Sequence, residues 1–458
     1  METHSANATN LEKFRNLRSS LTAKFVGVLF LTLLLMIPLG LVEDQVSSRA
    51  WYQDQVTEDI ASAAASSQTV IGPVLAVHYR TKTPERSYYD SKSGTIATEA
   101  AKVNERVVYI PAKRLTIRGN AGVELRKRGI YQARLFHLDA EAEGMFEAPA
   151  DMIKITDGSE FMDARAAILF SVSDLRGFAS DPDVLVNGRT LHFRTPNDKR
   201  FEAVMSGSRL EINLGAWLPD QARNIAFSFP LKLTGTEALA IAPTAENNIV
   251  ALTSDWKHPS FGGRFLPRKH EINAAGFTSE WEISQLSRNL DHALDNQRGE
   301  ALTIRFIEPV NIYLQAERAV KYGSLFIVLT FAAFFIGEAL RRRPMHIMQY
   351  ALVGLSLSIF FLLLIALSEH LPFAWAYLAG AVACIGLIVI YLAGVFGSSR
   401  IAASFGGGLA ALYGTLYAIL QLEDTALLMG SLLLFAALAA IMLSTRHFDW
   451  YQLKQGKI

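Results

Sequence analysis

Long apolar runs and one long polar stretch divide this chain. A helix needs roughly 20 residues to cross the hydrocarbon core of a bilayer, and apolar runs of about 18 or more residues are candidates for such helices. Six runs meet this criterion: 25–42, 322–340, 347–368, 373–396, 401–421 and 425–443. The pattern predicts a membrane protein with six transmembrane α-helices, and a large domain, residues 43–321, inserted between helices 1 and 2.

Within residues 43–321 the spacing of apolar residues changes from a helical period to a period of two. Residues 43–67 contain no Gly or Pro and extend the helical pattern of the first run, which predicts a helical stalk. From Val70 onward the period is two, in short runs rich in β-branched and aromatic residues. Turn sequences such as Asn187-Gly188 separate these runs. This pattern predicts an all-β, antiparallel sandwich-like domain, as one sandwich or as two stacked ones, that is large enough to bury its own core.

The predicted strands lie at 69–79, 105–110, 129–137, 165–172, 209–214, 223–233, 249–256, 277–283 and 302–307. Residues 80–104 are rich in Lys, Thr, Ser, Glu and Asp, and we interpret them as a mobile hairpin tip or an inserted loop.

The distribution of Lys and Arg predicts the orientation, because these residues are enriched in short cytoplasmic connections. The outer connections 368–372 and 421–424 contain neither residue. Both termini, 1–24 and 444–458, are therefore expected in the cytoplasm, and residues 43–321 on the opposite side of the membrane. The basic residues that flank the predicted inner ends are Lys13, Arg15, Arg18, Lys24, Arg341, Arg342, Arg343, Arg400, Arg446, Lys454 and Lys457.

A cleaved signal peptide is an alternative interpretation of the first run, since Ser48-Arg49-Ala50 resembles a cleavage site. However, the run is longer than a usual signal-peptide core, and the small residues lie well beyond its end. A retained transmembrane helix is favoured.

Composition excludes several functions. Lys and Arg number 44 and Asp and Glu 43, so no basic excess favours nucleic-acid binding. The one cysteine, Cys384, lies in the fourth apolar run, and the polar block cannot contain a disulfide. No metal-ligand spacing or cofactor motif is present, and we expect no cofactor.

The densest group of reactive residue types lies in the segment Leu252 to Pro267. Asp255, His258 and Ser260 could supply the carboxylate, base and hydroxyl of a catalytic triad. However, no nucleophile-elbow sequence surrounds Ser260, and such close neighbours on a turn rarely converge. The favoured interpretation is a strand ending at Trp256 and a rigid turn anchored on the core by Phe261, Phe265 and Leu266.

The predicted membrane helices contain few charges. Glu338 could mark a proton path, but one turn before the arginines its carboxylate is expected to reach the interface. Small residues at 406, 410, 414 and 418 suit close helix contact. Tyr413 and Tyr417 are expected to pack. Glu369 with His370, and residues 423 and 424, fall on outer loops, where their solvation costs little.

Several motifs resemble the CreD family of bacterial inner membrane proteins. They lie at 68–73, 252–267, 276–281, 329–335, 346–357, 366–370 and 448–451, and the resemblance covers about residues 20–452. It implies a protein of cell envelope integrity, linked to a two-component regulon, colicin tolerance and the β-lactam response. It implies no catalytic residue. The signature positions, structural or binding, are Gly72, Pro73, Trp256, His258, Pro259, Ser260, Phe261, Phe265, Leu266, Pro267, Gln349, Tyr350, Glu369, His370, Asp449 and Trp450.

Two classes of function follow. The first is a non-enzymatic envelope or stress-response protein, held in the lipid bilayer, whose periplasmic domain binds an envelope protein, a lipid or a peptidoglycan-related ligand. The alternative is a transporter-like permease for lipids or envelope precursors. The inner connections 341–346 and 397–400 leave little surface for a driving ATPase, which favours the first class.

Overall fold

The computed structural model describes residues 21–90, 95–155, 158–196, 201, 205–219, 222–295, 300–307, 312–341, 345–421 and 426–446. The chain forms two compact units. The helical unit comprises Met1–Gln53 and Val310–Ile458, and the β-rich unit comprises Asp54–Pro309.

The helices begin and end close to the apolar runs. They are α1 (Leu21–Ala63), α2 (Leu290–Asp295), α3 (Ile312–Lys321), α4 (Gly323–Arg341), α5 (Ile347–Ser368), α6 (Phe373–Phe396), α7 (Ser399–Gln421) and α8 (Ala426–Thr445). Five helical segments of the described chain, starting at Lys24, Ile312, Ile347, Phe373 and Ser399, are long and apolar enough to cross a membrane. The described apolar part of α8, Leu428–Leu443, is shorter. Several apolar helices and a large β-rich domain are thus confirmed, and the count of six spans stays a prediction.

Helix α1 packs through one stripe of apolar residues. The buried members recur every three or four positions, which places them on one helix face. The opposite face exposes Phe30, Leu33 and Ile37. Gly323 and Gly354 let neighbouring helices approach this stripe, since a Cβ would lie 2.7 Å from Leu39 and 2.2 Å from Leu35. The buried stripe is Val28, Leu31, Leu35, Leu39, Val42 and Val46.

The β-rich unit contains 17 described strands. The first nine are β1 (Gln68–Thr83), β2 (Arg86–Asp90), β3 (Thr95–Glu99), β4 (Lys102–Pro111), β5 (Arg114–Arg128), β6 (Tyr131–Ala148), β7 (Glu160–Val172), β8 (Asp183–Val186) and β9 (Arg189–His192). The others are β10 (Ser208–Ala216), β11 (Arg223–Thr236), β12 (Ala238–Ala242), β13 (Asn247–Ser254), β14 (Pro259–Gly263), β15 (Lys269–Asn273), β16 (Gly276–Ser284) and β17 (Leu302–Phe306).

Two large sheets share one apolar core. The seven-stranded sheet has the order β10-β7-β1-β12-β17-β14, with β4 also paired to β1. The eight-stranded sheet has the order β15-β16-β13-β5-β6-β11-β8-β9. Alternate residues of both sheets, such as Val77 and Ile168 of the first and Phe136 and Trp281 of the second, belong to the same buried cluster. The sandwich-like packing follows from this period of two.

The expectation of a purely antiparallel arrangement is wrong. Strand β1 pairs parallel with β12 along Gln68–Ile71, and β13 pairs parallel with β5 from Asn247 to Thr253. An alternating pattern shows which face of a strand is buried, but it does not show the direction of the neighbouring strand. Each parallel pair joins strands that are far apart in the chain.

Gly72 and Pro73 lie where β1 changes partners. Before them β1 pairs with β12, and after them, from Val74 onward, it pairs with β4. The register against β7 also shifts between Ile71 and Val74. Proline has no N–H to donate to the ladder, and Gly72, at φ +103, adopts a backbone conformation that favours glycine. This signature pair therefore divides one long strand between two neighbours.

Residues 80–104 are more regular than the expected loop. Strand β1 continues to Thr83, β2 and β3 form a hairpin, and β4 begins at Lys102. The polar residues are compatible with strands because this hairpin exposes its side chains, such as Tyr88 and Ile96. The tip, 91–94, lies outside the described residues. The predicted strand at 129–137 begins at Tyr131 and continues to Ala148, and β5 precedes it.

Candidate functional site

A groove opens on the outer face of the eight-stranded sheet, where β8 pairs with β11 only at Leu185 and Val186. We call it the sheet groove. Its volume is about 550 Å³, within the range of roughly 300–1,000 Å³ that ligand sites occupy. The strands β5, β6 and β11 form the floor, and the β8–β9 turn forms one wall. The lining residues are Arg114, Thr116, Glu143, Gly144, Met145, Leu185, Asn187, Gly188, Ala226, Phe227 and Ser228.

The registers fix which side chains meet on this floor. Glu143 lies opposite Thr116 on one side and opposite Ser228 on the other. Ser228 in turn lies opposite Leu185. Arg114 is the diagonal neighbour of Glu143, because it lies opposite Met145. Cross-strand diagonal neighbours are about 7–8 Å apart, so both charges face the same space.

The turn that forms the wall is attached to β11. The Asn187 backbone N–H donates to the Ala226 carbonyl at 3.0 Å. The Asn187 side chain accepts from the Ala226 N–H at 2.8 Å and donates to the Asn224 carbonyl at 3.3 Å. Asn187 has φ +47 and Gly188 φ +78, conformations that Asn and Gly adopt in tight turns. The predicted Asn187-Gly188 turn is confirmed, and it holds the groove open.

The sheet groove contains two charges without an ion partner. Arg114 and Glu143 are exposed, and among the described residues neither forms an ion pair or a side-chain hydrogen bond. Some other charges on this unit are paired, for example Lys113 with Glu246 at 2.9 Å. A guanidinium and a carboxylate facing one groove can bind a ligand that carries both signs of charge. The arrangement of charges therefore suits binding.

The three residues of the triad interpretation are not brought together. The Asp255 carboxylate accepts from the Val123 N–H at 3.0 Å. Ser260 pairs with Arg305 of β17, and the exposed His258 uses its carbonyl to accept from the Trp256 indole at 3.0 Å. Among the described residues, no hydrogen bond joins any two of the three side chains. Asp255 therefore joins the end of β13 to β5.

Trp256 and Phe261 pack at the edge of the core and are half-buried. The predicted anchoring of the turn by Phe261 is confirmed, since its ring contacts Phe277 and Trp281. The strand also ends at Ser254, before Trp256, whose indole donates to the Ile307 carbonyl at 3.1 Å. Phe265 packs against the core, but Leu266 is 68% exposed and does not anchor the turn. Two of the three predicted anchors are therefore confirmed, and the pairing of β14 with β17 also holds the turn.

Pro259 begins strand β14, where a missing N–H is tolerated, and Pro267 follows this strand in a half-buried position. Arg264 of the same segment contacts the fully buried carboxylate of Glu300 at 2.8 Å. The Asn289 N–H donates to the other oxygen of Glu300 at 3.1 Å. A buried carboxylate is costly unless it is paired. This role of Arg264 was not predicted.

Gln68, the first residue of the signature at 68–73, connects three segments. Its buried amide donates to the carbonyls of Asp174 at 3.0 Å and Thr234 at 3.2 Å, and its oxygen accepts from the Asp174 N–H. Hydrogen bonds from the Arg176 side chain lower the pKa of the Asp174 carboxyl below its usual value. Arg176 also donates to the Ser62 carbonyl at the end of α1. Gln68 thus holds these segments together through its side chain.

In the helical unit, Glu338 has two partners that were not predicted. Its carboxylate forms an ion pair with Lys24 of α1 and accepts from the Tyr350 hydroxyl at 3.0 Å. The Glu338 side chain is 9% exposed and Tyr350 is fully buried. Lys24 and Tyr350 offer the carboxylate partners inside the unit, which removes the reason for it to seek water. Gln349 forms a capping box with His346 at the start of α5.

Glu369 lies at the end of α5, and Arg49 of α1 is 3.5 Å from its carboxylate. The Glu369 side chain is only 12% exposed, so the expected simple solvation is wrong, while the neighbouring His370 is exposed. Ion pairs therefore connect α1 to α4 at one place and to α5 at another. Asp449 and Trp450 lie outside the described residues, as do residues 423 and 424.

The small residues of α7 make only one close contact. A Cβ at Gly406 would lie 2.4 Å from Val389, but one at Gly414 would meet nothing within 4 Å. Residues 410, 414 and 418 are exposed, so the expected contact stripe is wrong beyond residue 406. The packing role of Tyr413 and Tyr417 is confirmed, since both rings contact Tyr377, at 6.4 and 5.1 Å.

Comparisons with known proteins agree on a family. The family model described as inner membrane protein CreD matches residues 20–451. Inner membrane protein CreD of Escherichia coli (strain K12) is 34% identical over 457 residues, which cover 96% of both chains.

Likenesses to solved structures are distant. An M1 zinc metallopeptidase from Deinococcus radiodurans has a TM-score of 0.21 at 8% identity, over 43% of this chain and 42% of that chain. A candidate nutrient binding protein from Legionella pneumophila has a TM-score of 0.26 at 9% identity, over 48% of this chain and 77% of that chain. These values carry no argument about function.

Proposed function

This chain belongs to the CreD family of inner membrane proteins, and from that premise we propose that it is a non-enzymatic protein of cell envelope integrity and stress response. Its β-rich unit binds an envelope partner or ligand in the periplasm, and its helices anchor it. The observation that supports this most is the sheet groove, in which Arg114 and Glu143 face one space without an ion partner among the described residues.

The chemistry of the groove favours an extended, peptide-like ligand with both an amino and a carboxylate group. Arg114 suits the carboxylate, since its planar guanidinium can donate two parallel hydrogen bonds. Glu143 suits the amine. Thr116 and Ser228 add hydroxyls, and Met145 and Leu185 add apolar contacts. A segment of an envelope protein and the stem peptide of peptidoglycan both present this combination, whereas a lipid tail would leave the charges unmatched.

The first test is photo-crosslinking in living cells. A photoreactive residue replaces Leu185 in the groove, and the control replaces Leu125 of β5, which is outside the groove and equally exposed at 47%. We expect the Leu185 position to capture a peptide-containing molecule that the Leu125 position does not capture. Equal products from both positions, or no peptide product from Leu185, would reject the groove as the binding site.

The charges of the groove are tested separately. We expect Arg114→Gln or Glu143→Gln to weaken capture about fivefold, because an exposed charge pair contributes on the order of 1 kcal/mol. Complementation of a deletion strain under β-lactam stress should fall in parallel. The matched control is Arg118→Gln, which changes an exposed arginine of the same strand outside the groove. If Arg118→Gln weakened capture as much as Arg114→Gln, the net charge of the protein rather than the groove would explain the effect.

The same proposal includes six spans with both termini in the cytoplasm. The ion pairs of α1 support the first span, since the helical rise puts about 37 Å between Lys24 and Arg49, slightly more than the roughly 30 Å hydrocarbon core. The distribution of Lys and Arg supports the orientation. Reporter fusions after residues 343, 400 and 458 should all be cytoplasmic, and fusions near 150, 371 and 423 external. A fusion at residue 458 that was external would contradict this topology.

A further inference from the structure

A second groove lies within the helical unit, between α4, α7 and α8. We call it the membrane groove. Its volume is about 500 Å³, and its lining is almost entirely apolar. The residues that shape it are small ones: Ala333 and Gly337 of α4, Gly408 of α7, and Ala437 and Ala440 of α8.

Only one end of this groove is closely packed, since a Cβ at Gly337 would lie 2.8 Å from the Phe405 ring. In membrane proteins, Gly and Ala usually allow two helix backbones to approach closely. A Cβ built on Gly408, however, would meet nothing within 4 Å. Side chains that face an empty space lose their packing contacts, so such a space is filled when a suitable molecule is available. Within a bilayer the available apolar molecule is a lipid chain.

The charges at one end of the groove indicate what the lipid carries. The groove reaches Gly337 near the end of α4, Ser404 near the start of α7 and Ile441 near the end of α8. An arginine lies at each of these three helix ends: Arg341 is the last residue of α4, Arg400 lies at the start of α7, and Arg446 directly follows α8. Arginine binds phosphate through paired hydrogen bonds, and Arg400 is exposed.

We propose that the membrane groove binds one acyl chain of an anionic phospholipid, whose phosphate lies at the arginine end beside Arg400. The site differs from the sheet groove in both place and chemistry, so it does not depend on the function proposed above. It would make the helical unit sensitive to the anionic lipid content of the leaflet that carries the arginines.

The test uses the full chain, purified in detergent and titrated with phosphatidylglycerol or phosphatidylcholine, with bound lipid counted by native mass spectrometry. Gly408→Leu fills the groove. Gly407→Leu is the matched control, because a Cβ there also meets nothing within 4 Å but the residue does not line the groove. We expect Gly408→Leu to weaken phosphatidylglycerol binding about fivefold, the scale of one side-chain contact, and Gly407→Leu to leave it unchanged.

The headgroup is tested with Arg400→Gln, which should reduce the preference for phosphatidylglycerol over phosphatidylcholine about fivefold. Ala437→Leu fills the groove from α8 and serves if Gly408→Leu fails to fold. Equal binding by the two glycine variants and Ala437→Leu would overturn the proposal. So would a wild-type protein that retains both lipids equally, since this would mark only nonspecific solvation by lipid.

Discussion

Replacing Trp281 by alanine is expected to lower the free energy of unfolding of the β-rich unit by about 3–5 kcal/mol, the usual cost of removing a buried aromatic side chain. Trp281 is 1% exposed and is among the largest fully buried side chains of the described chain. Its indole packs edge-on against Phe261, with ring centroids 5.7 Å apart, and donates to the Phe265 carbonyl at 3.1 Å. The substitution would leave both a cavity and an unpaired carbonyl.

Trp256→Ala is the informative comparison. Trp256 is half-buried, and its surroundings can admit water. We therefore expect Trp256→Ala to lower the free energy of unfolding by about 1–2 kcal/mol, less than the loss of a fully buried side chain would. The measurement is urea unfolding of the full chain in detergent, followed by pulse proteolysis of the β-rich unit. If Trp256→Ala cost as much as Trp281→Ala, the edge position assigned to Trp256 would be wrong.

The sequence contains a signal for Trp281 that the prediction from the 252–267 motif did not use. Phe277, Ser279, Trp281 and Ile283 alternate with polar residues, and all four are buried in β16. Apolar and polar residues alternate along a strand when one face of the sheet is buried and the other is exposed. By contrast, the sequence density of Trp, His, Ser and Asp at 255–260 reflects a turn at the edge of the core. The alternation of apolar and polar residues therefore predicted burial better than the clustering of Trp, His, Ser and Asp did.

The sheet groove could not be predicted by the same reasoning. Alternation along β6 does place Glu143 outward, and the turn before Tyr131 sets its register with β5. However, the groove exists because β8 pairs with β11 over only two residues and then turns at Asn187. Such pairing depends on contacts between segments distant in the chain, which a single sequence does not specify. The two parallel pairs were missed for the same reason.

In the helical unit, too, the sequence predicted local structure but not a contact between residues far apart in the chain. Apolar length predicted where the helices lie, because crossing a bilayer imposes a minimum length. The partner of Glu338 was missed, since Lys24 lies 314 positions away. From the sequence, an acidic residue one turn from three arginines is expected at the water interface. The structure gives it two partners on other helices, and these contacts connect α1, α4 and α5.

This connection should be measurable as an energetic coupling between Lys24 and Glu338. Removing one partner of a buried ion pair leaves the other charge uncompensated, which typically costs about 3–5 kcal/mol. Lys24 is 19% exposed and near the start of α1, where its amine can partly reach water. We therefore expect Glu338→Gln or Lys24→Met alone to lower the free energy of unfolding of the helical unit by roughly 1–3 kcal/mol. The double variant should cost at least about 1 kcal/mol less than the sum.

The measurement is a double-mutant cycle on the full chain, with unfolding of the helical unit by a denaturing detergent in mixed micelles. Arg49 and Glu369 provide the control cycle on the same helix. Their charges are 3.5 Å apart, and the Arg49 side chain is 39% exposed, so water screens the pair and we expect a coupling below about 0.5 kcal/mol. Tyr350→Phe should weaken the Lys24 coupling only in part, because the ion pair remains. A Lys24–Glu338 coupling no larger than that of the control would show that α1 is held by its apolar stripe alone, with the ion pair contributing little.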